Sequence, residues 1–223
     1  MVNPLKKLFF WRNYTTKQHA NWWKRRKIDW NKDYFSTHTH SHRKVILHFL
    51  GQIPWNNLLE VGCGGGANLI NIARYFPNKY LAGNDVSKEA IEFCKEVFAK
   101  HNPPVYFTNS PADDMLIGDK NTEVLLSDMV YIYVSSKDIG RHIREIKRVA
   151  RDYVVLCEFH SESWWKRMRL KLFTGYNAYN WEKLLTKNDF QDIIKYKLTK
   201  EDWPNSKLQQ EFAHIFLAKI PKR

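Results

Sequence analysis

One short stretch of this chain carries a carboxylate and three glycines at alternate positions, namely Glu60, Gly62, Gly64 and Gly66. The apolar run at 57–61 predicts a short buried strand, and the helical spacing of residues 67–76 predicts a helix directly after the glycines. Glycine permits a tight turn and close backbone approach, and a helix N-terminus offers unpaired N–H groups to a ligand. The stretch therefore predicts a site for a nucleotide-like ligand.

The carboxylate at Glu60 separates two kinds of ligand. The spacing Gly62-x-Gly64-x-x-Ala67 also satisfies the dinucleotide fingerprint, but Glu60 would repel a pyrophosphate lying over this turn. S-adenosylmethionine has no phosphate, and a carboxylate attracts its sulfonium and ammonium groups. The Glu60-x-Gly62-x-Gly64-x-Gly66 spacing resembles the first motif of class I S-adenosylmethionine-dependent methyltransferases. A nicotinamide-dependent oxidoreductase is the alternative.

The resemblance implies which residues hold the methionine part of the cofactor. They are Glu60 and the backbone at Gly62, Cys63 and Gly64. Arg43 resembles a family position at which arginine pairs with the methionine carboxylate. An ordinary solvated charge is the other interpretation of this arginine.

The next two motifs concern the ribose and the adenine. Asp85 resembles the acidic residue that ends strand 2 in the family, so it is expected to bind both ribose hydroxyls, with Val86 against the adenine. Alternatively, Asp85 is only a favourable charge at a helix N-terminus. The third motif departs from the family pattern, because residues 109–114 place serine or proline where the family has aspartate. Ala112 and Asp113 keep the pattern, so Asp113 is the expected adenine contact.

Methyl transfer needs alignment in a water-poor site and, for some acceptors, removal of a proton. Candidates for this chemistry lie where strands 4 and 5 are predicted to end, at Asp128, Glu158 and His160. Asp128 lacks the Asn/Asp-Pro-Pro-Tyr context of amino-group methyltransferases, and it is expected to act as a base, hold a metal or brace the loop. Glu158 and His160 form a pair with shifted pKa values, either catalytic or an ion pair lining the pocket.

Histidines and aromatic residues supply further candidates for the pocket. His38, His40 and His42 would share one face of a strand and could bind zinc, although they more often line a cleft or face solvent. We predict no metal site. Several aromatic residues are candidate pocket walls or core residues: Tyr34, Tyr131, Tyr133, Trp164 and Trp165.

The composition suits one α/β domain with additions, since 223 residues can bury a hydrophobic core that is stable without disulfide bonds or bound metals. Three cysteines without metal or disulfide spacing favour a reducing, cytoplasmic setting. The apolar run at residues 5–11 is too short for a leader or a membrane span.

Charge and tryptophan are concentrated near the start of the chain. The net charge is +13, and residues 1–54 carry eleven Lys and Arg against two Asp, which gives +9. Trp11, Trp22, Trp23 and Trp30 lie in this segment. Such a segment suits RNA or a membrane surface, or forms an amphipathic cap whose charges are solvated.

Strands and helices alternate from residue 57 onward, which predicts a mostly parallel sheet. The strands are expected near 57–61, 79–84, 105–108, 124–127 and 153–159, and helices near 67–76, 88–100 and 138–149. A helix over 42–50 precedes them. A basic helix after residue 160 and a short one at 181–186 lead to strands near 192–198 and 213–219, whose direct succession predicts an antiparallel hairpin.

Together these features predict an α/β, Rossmann-like fold with a mostly parallel seven-stranded sheet, a terminal antiparallel hairpin and helices on both faces. Residues 1–54 are expected to form a basic, aromatic lead-in over the substrate cleft, and 55–223 the catalytic domain, with 161–180 as a substrate-side insertion. The predicted activity is methyl transfer from S-adenosyl-L-methionine to a small or mid-sized acceptor, with anionic acceptors included. An RNA methyltransferase and a non-catalytic cofactor-binding subunit are further alternatives.

Overall fold

A computed structural model of the chain describes residues 14–221. The strands are β1 (Asn57–Val61), β2 (Tyr80–Asp85), β3 (Tyr106–Asn109), β4 (Thr122–Asp128), β5 (Ala150–Phe159), β6 (Gln191–Lys197) and β7 (Ala213–Lys219). The α-helices are α1 (Thr16–Arg25), α2 (Trp30–Asp33), α3 (His42–Leu50), α4 (Ala67–Tyr75), α5 (Lys88–Val97), α6 (Ile139–Val149), α7 (Trp164–Thr174), α8 (Trp181–Lys187) and α9 (Lys207–Phe212). Two 3-10 turns span Phe35–Thr39 and Tyr131–Tyr133.

The strands form one seven-stranded sheet in the order β3-β2-β1-β4-β5-β7-β6. The pairs from β3 to β5 are parallel. β7 lies antiparallel between β5 and β6. The predicted fold class, including the terminal antiparallel pair, is confirmed.

Alternate side chains of each strand enter two separate cores, as the pleat of a β-strand requires. On one face, which we call the pocket face, Leu58, Leu126 and Val155 pack with apolar residues of α3, α4 and α5. On the opposite face, Leu125 and Leu156 pack with α6 and α8. The helices therefore cover both faces of the sheet.

The order of the strands reverses between β1 and β4, because the chain moves outward to β3 and then returns to the other side of β1. Parallel α/β sheets bind ligands outside the carboxyl ends of the strands at such a point. Glu60 lies near the end of β1, and Asp85 and Asp128 end β2 and β4. The fold thus gathers three acidic residues at one edge of the sheet.

The described part of the lead-in packs against the glycine turn. A Cβ at Gly65 would lie 3.0 Å from the carbonyl oxygen of Trp30 and 3.2 Å from the amide nitrogen of Phe35. The helix predicted over 42–50 is present as α3. Trp11 and the run at 5–11 lie outside the described residues.

The C-terminal region contains one element that the sequence analysis did not predict. The segment between β6 and β7 forms the short helix α9, because Leu208 and Phe212 are one turn apart and both pack on the core of the pocket face. The three cysteines are buried and free. Within residues 14–221, no helix has the length and apolar character that crossing a membrane requires.

Gly62 gives a direct test of the glycine turn. Its φ is +65°, and a Cβ there would clash with Cγ2 of Val130. A left-handed backbone at a non-glycine residue and an overpacked side chain each destabilise the folded state. We therefore expect Gly62→Ala to lower the free energy of unfolding by about 2–4 kcal/mol in urea titrations. Adding Val130→Ala to the Gly62→Ala variant should recover the part of this loss that comes from the steric clash, but not the part that comes from the left-handed backbone.

The matched control is Gly140→Ala in α6, where the nearest contact of a new Cβ is the Arg144 guanidinium at 3.7 Å. Alanine is the better helix former, so we expect a gain of about 0.5–1 kcal/mol. Equal effects at the two glycines would contradict the strain assigned to Gly62.

Candidate functional site

A cavity of about 440 Å³ opens at the carboxyl edge of the sheet, between the glycine turn and the lead-in. This volume lies within the range of small-molecule sites. All nine residues predicted to bind the cofactor line it: Arg43, Glu60, Gly62, Cys63, Gly64, Asp85, Val86, Ala112 and Asp113. We call this cavity the pocket. The structure therefore brings together the residues predicted to hold the cofactor.

Glu60 is a buried acid with unused hydrogen-bonding capacity. Its side chain is 2% exposed, and Nδ2 of Asn68 donates to Oε1 over 2.7 Å. Oε2 is buried and has no hydrogen-bond partner among the described residues. Burial raises the pKa of Glu60 to about 8, against the opposing hydrogen bond from Asn68. A buried, unpaired carboxylate oxygen suits a cationic group such as the ammonium of S-adenosylmethionine.

Asp85 connects the glycine turn to the end of β2. The backbone N–H of Gly64 donates to Oδ2 over 2.9 Å, and the N–H of Ser87 donates to Oδ1 over 2.8 Å. Burial raises the pKa of Asp85, although these N–H groups act in the opposite direction. A carboxylate offers about four acceptor positions, so each oxygen keeps room for one ribose hydroxyl.

The third motif is fixed by hydrogen bonds to the end of β2. Oγ of Ser110 donates to Oδ1 of Asn84 over 2.7 Å, so this serine is engaged within the protein. Asp113 lines the pocket and pairs with Arg141 over 3.2 Å. Its role as the adenine contact stays a prediction.

Asp128 lies in the pocket at the centre of a polar network. Its Oδ2 accepts hydrogen bonds from Nε2 of His42 at 3.0 Å, Nη1 of Arg43 at 3.1 Å and Nδ2 of Asn68 at 3.1 Å. Burial alone would raise the pKa of Asp128, but His42, Arg43 and Asn68 outweigh it and hold the pKa well below its usual range. An acid held ionised in this way has low affinity for protons, which weighs against Asp128 as a general base.

His40 and His42 extend this network toward the pocket opening. The Nδ1 atoms of the two rings are 2.6 Å apart, and both residues line the pocket. His42 stacks on Trp203 with 4.0 Å between ring centroids. With Nε2–H of His42 donated to Asp128, Nδ1 of the same ring can accept the Nδ1–H of His40. Nε2 of His40 then keeps a lone pair for a proton.

An aromatic wall, formed by Trp23, Tyr34, Tyr133, Phe159 and Tyr176, lines another part of the pocket. Trp23 and Tyr176 contact Tyr133 with ring centroids 5.5 and 5.6 Å apart. Burial, followed by the neighbouring phenols of Tyr176 and Tyr34, raises the pKa of Tyr133 well above its usual value, so this phenol stays neutral. The wall suits an apolar molecule.

Glu158 and His160, both predicted as catalytic, do not line the pocket. The pairing of Asp128 with Cys157 places the odd-numbered residues of this end of β5 on the pocket face. Glu158 therefore points to the opposite face, where it accepts hydrogen bonds from Ser127 Oγ and two backbone N–H groups. Nδ1 of His160 accepts from the N–H of Trp181. They do not form the ion pair considered from the sequence.

The candidate aromatic walls divide in the same way. Tyr34 and Tyr133 line the pocket. Tyr131 is fully buried beside Trp181 and is not a lining residue. Trp164 and Trp165 are 56% and 68% exposed, so they belong neither to the pocket nor to the core.

Sequence reasoning missed several residues of the pocket. Asn68 joins Glu60 and Asp128, and its signal was a polar residue on the apolar face of α4. Trp203, which stacks on His42, lies in a stretch that looks like a polar loop. His19 and Tyr176 carry no local motif that distinguishes them from ordinary core residues.

The strand order, the glycine turn and the acids near the ends of β1 and β2 define the Rossmann-like methyltransferase fold. Residues 58–153 match the family model for a methyltransferase domain. A fatty-acid O-methyltransferase from Mycolicibacterium smegmatis is 32% identical over 76 residues, which span 34% of this chain and 27% of that protein.

Two solved structures share the fold. Geranyl diphosphate methyltransferase in complex with SAM has a TM-score of 0.63 and 15% identity, covering 80% of this chain and 84% of its own. Geranyl diphosphate C-methyltransferase from Streptomyces coelicolor A3(2) has a TM-score of 0.64 and 13% identity, covering 99% of each chain. These similarities support the resemblance to class I S-adenosylmethionine-dependent methyltransferases that the sequence predicted.

Proposed function

We propose that this protein transfers the methyl group of S-adenosylmethionine to an apolar small-molecule acceptor held in the pocket. The observation that carries the proposal is that one cavity combines an acidic region with an aromatic, apolar region. Acidic residues at the glycine turn suit the cofactor, and the aromatic wall beside them suits an apolar acceptor. Water exclusion and alignment are the main requirements of methyl transfer.

In the cofactor half of the pocket, each acidic residue would bind a different group of S-adenosylmethionine. Glu60 would bind the ammonium through its unpaired Oε2, and Asp85 would bind the ribose hydroxyls. Arg43 is already engaged with Asp128, Asn68 and Thr37, so it would hold the network in place and reach a carboxylate only by exchanging one of these bonds. When bound, S-adenosylmethionine supplies a methyl group on a sulfonium that leaves as a neutral thioether.

The acceptor half favours a molecule with an apolar body. The curated relative acts on a fatty acid, and the two solved structures act on geranyl diphosphate, by their names. A long-chain acceptor would place its body along the aromatic wall, and an anionic head would be attracted by a chain of net charge +13. We therefore place fatty acids and prenyl or alkyl alcohols first among the acceptors.

The lead-in contributes directly to this enclosure. Residues of α1 and α2 line the pocket, including Thr16, Trp23 and Trp30. Two lead-in side chains, His42 and Arg43, bind Asp128 at the end of β4. We propose that the lead-in covers the acceptor rather than serving as an RNA platform, and that 161–180 supplies only Tyr176 to the pocket wall. The RNA alternative and the cytoplasmic location stay predictions.

The test uses methyl-labelled S-adenosylmethionine with three acceptors offered separately: a long-chain fatty acid, a long-chain alcohol and total RNA. We expect label in an apolar product that partitions into organic solvent, and none with Asp85→Ala. Label in RNA alone would refute the acceptor class. Cofactor binding without transfer to any acceptor would favour the non-catalytic subunit.

His40 separates the two apolar acceptors. An alcohol acceptor would have to give up its proton, and Nε2 of His40 would take it, whereas a fatty-acid carboxylate is already ionised at neutral pH. We expect His40→Asn to lower turnover of the alcohol about 100-fold or more and to spare that of the fatty acid. His38→Asn is the matched control, because His38 is not among the lining residues and contacts the Phe35 carbonyl.

A further inference from the structure

Helix α7 presents an apolar surface that no described element covers. Four of the nine exposed large hydrophobic side chains among the described residues belong to it: Trp164, Trp165, Leu172 and Phe173, which are 54–68% exposed. Trp165 and Leu172 are seven residues apart and therefore share one side of the helix. Leu170, at 3% exposure, anchors the other side in the core. Monomeric soluble proteins rarely concentrate exposed apolar area in this way.

The same helix is basic. It carries Lys166, Arg167, Arg169 and Lys171 and contains no acidic residue. Arg169 pairs with Glu211 over 3.6 Å at a largely exposed position, where such a pair contributes little. Lys166 is exposed and lies one residue from Trp165. Tryptophan with flanking cations is the composition of helices that lie in the interfacial region of an anionic bilayer.

The position of α7 relates this surface to the pocket. Phe159, at the end of β5, and Tyr176, two residues after the end of α7, both belong to the aromatic wall. Tyr176 contacts Tyr133, which in turn contacts Trp23 of α1, with ring centroids 5.6 and 5.5 Å apart. The C-terminal half of α7 therefore lies beside the lead-in that encloses the pocket.

We propose that α7 docks the protein on the surface of an anionic lipid bilayer, with Trp164, Trp165, Leu172 and Phe173 at the level of the headgroups. Lys166 and Arg169 contribute attraction to anionic lipid. Aliphatic side chains on this face favour a bilayer over a nucleic acid, because stacking on bases does not use leucine. Docking itself is independent of the proposed function. If the proposed function holds, docking would bring the pocket close to acceptors dissolved in the membrane.

Co-sedimentation with phosphatidylcholine vesicles, with and without phosphatidylglycerol, tests the proposal on the full chain. We expect binding to the mixed vesicles that weakens with salt, and little binding to phosphatidylcholine alone. Trp164→Ala with Trp165→Ala should lower the partition coefficient roughly tenfold or more. Lys166→Gln and Arg169→Gln should each lower it about fivefold at low salt.

Tyr80→Ala with Tyr106→Ala is the control, because these tyrosines are 57% and 64% exposed but start β2 and β3 at the other edge of the sheet. It should bind vesicles as the wild type does. Melting temperatures without lipid confirm that each variant folds. Full vesicle binding by the tryptophan variant would overturn the proposal. So would binding to RNA but not to vesicles, or a dimer in sedimentation velocity that the tryptophan variant dissociates.

Discussion

Asp85→Ala is expected to lower the affinity for S-adenosylmethionine at least about 100-fold, because two charge-assisted hydrogen bonds to the ribose are lost at once. Isothermal titration measures the affinity directly, and the cofactor-induced rise in melting temperature should disappear with it. The expectation depends on the acceptor capacity that Asp85 retains after binding the N–H groups of Gly64 and Ser87.

The same substitution also affects the protein without cofactor. Removing the carboxylate leaves the two backbone donors of Gly64 and Ser87 without their acceptor, at a cost of about 1–3 kcal/mol each. The melting temperature without cofactor should therefore fall as well. Asp85→Asn, which keeps the shape and one acceptor oxygen, separates loss of binding from loss of folding.

Asp114→Ala is the matched control, because this neighbouring acid is exposed and is not a pocket residue. It should bind S-adenosylmethionine with wild-type affinity. A folded Asp85→Asn protein that retains the full affinity would contradict the assignment of Asp85 to the ribose.

The second large effect is a pH dependence of cofactor binding that originates at Glu60. In the free pocket, burial raises the pKa of Glu60 to about 8, so most molecules carry a protonated Glu60 at neutral pH. The ammonium of the cofactor needs the carboxylate, so binding lowers this pKa and releases a proton. The affinity should therefore fall about tenfold for each pH unit below about 8. Above about pH 8 it should decline again, as the amino group of the cofactor loses its proton.

Isothermal titration over this pH range, in two buffers with different ionisation enthalpies, measures both the affinity and the protons released. Glu60→Gln removes the titrating group, so we expect this variant to bind S-adenosylmethionine more weakly and its affinity not to increase as the pH is raised toward 8. Glu89→Gln, at an exposed acid in the first turn of α5, should reproduce the wild-type profile. The same rise in affinity in Glu60→Gln would show that another group is responsible.

Much of the cofactor half was predictable because it depends on local order along the chain. Strand periodicity places Glu60, Asp85 and Asp128 near strand ends, and parallel strands bring their carboxyl ends to one edge. The glycine spacing adds the turn. Each of these signals lies within a short stretch of sequence, so it can be recognised without knowledge of the tertiary structure.

The chemistry around the acceptor was less predictable because it depends on whether the odd-numbered or the even-numbered residues of a strand face the pocket. Both arrangements give the same alternating sequence pattern, and the register of β4 with β5 determines which one occurs. It places Asp128 and Phe159 on the pocket face and Glu158 on the opposite one. His42 meets Asp128 across 86 residues of sequence, a contact that no local pattern encodes.

The sequence by itself thus determined the class of fold, the methyl-donor motif and the acids that could serve it, since these follow from periodicity and from glycine conformation. Only the tertiary structure decided that residues of the lead-in line the pocket, that His42 and Arg43 pair with Asp128, and that the tryptophans of α7 face outward. The physical reason is that these properties arise from burial and from long-range contacts, which exist only once the chain is packed.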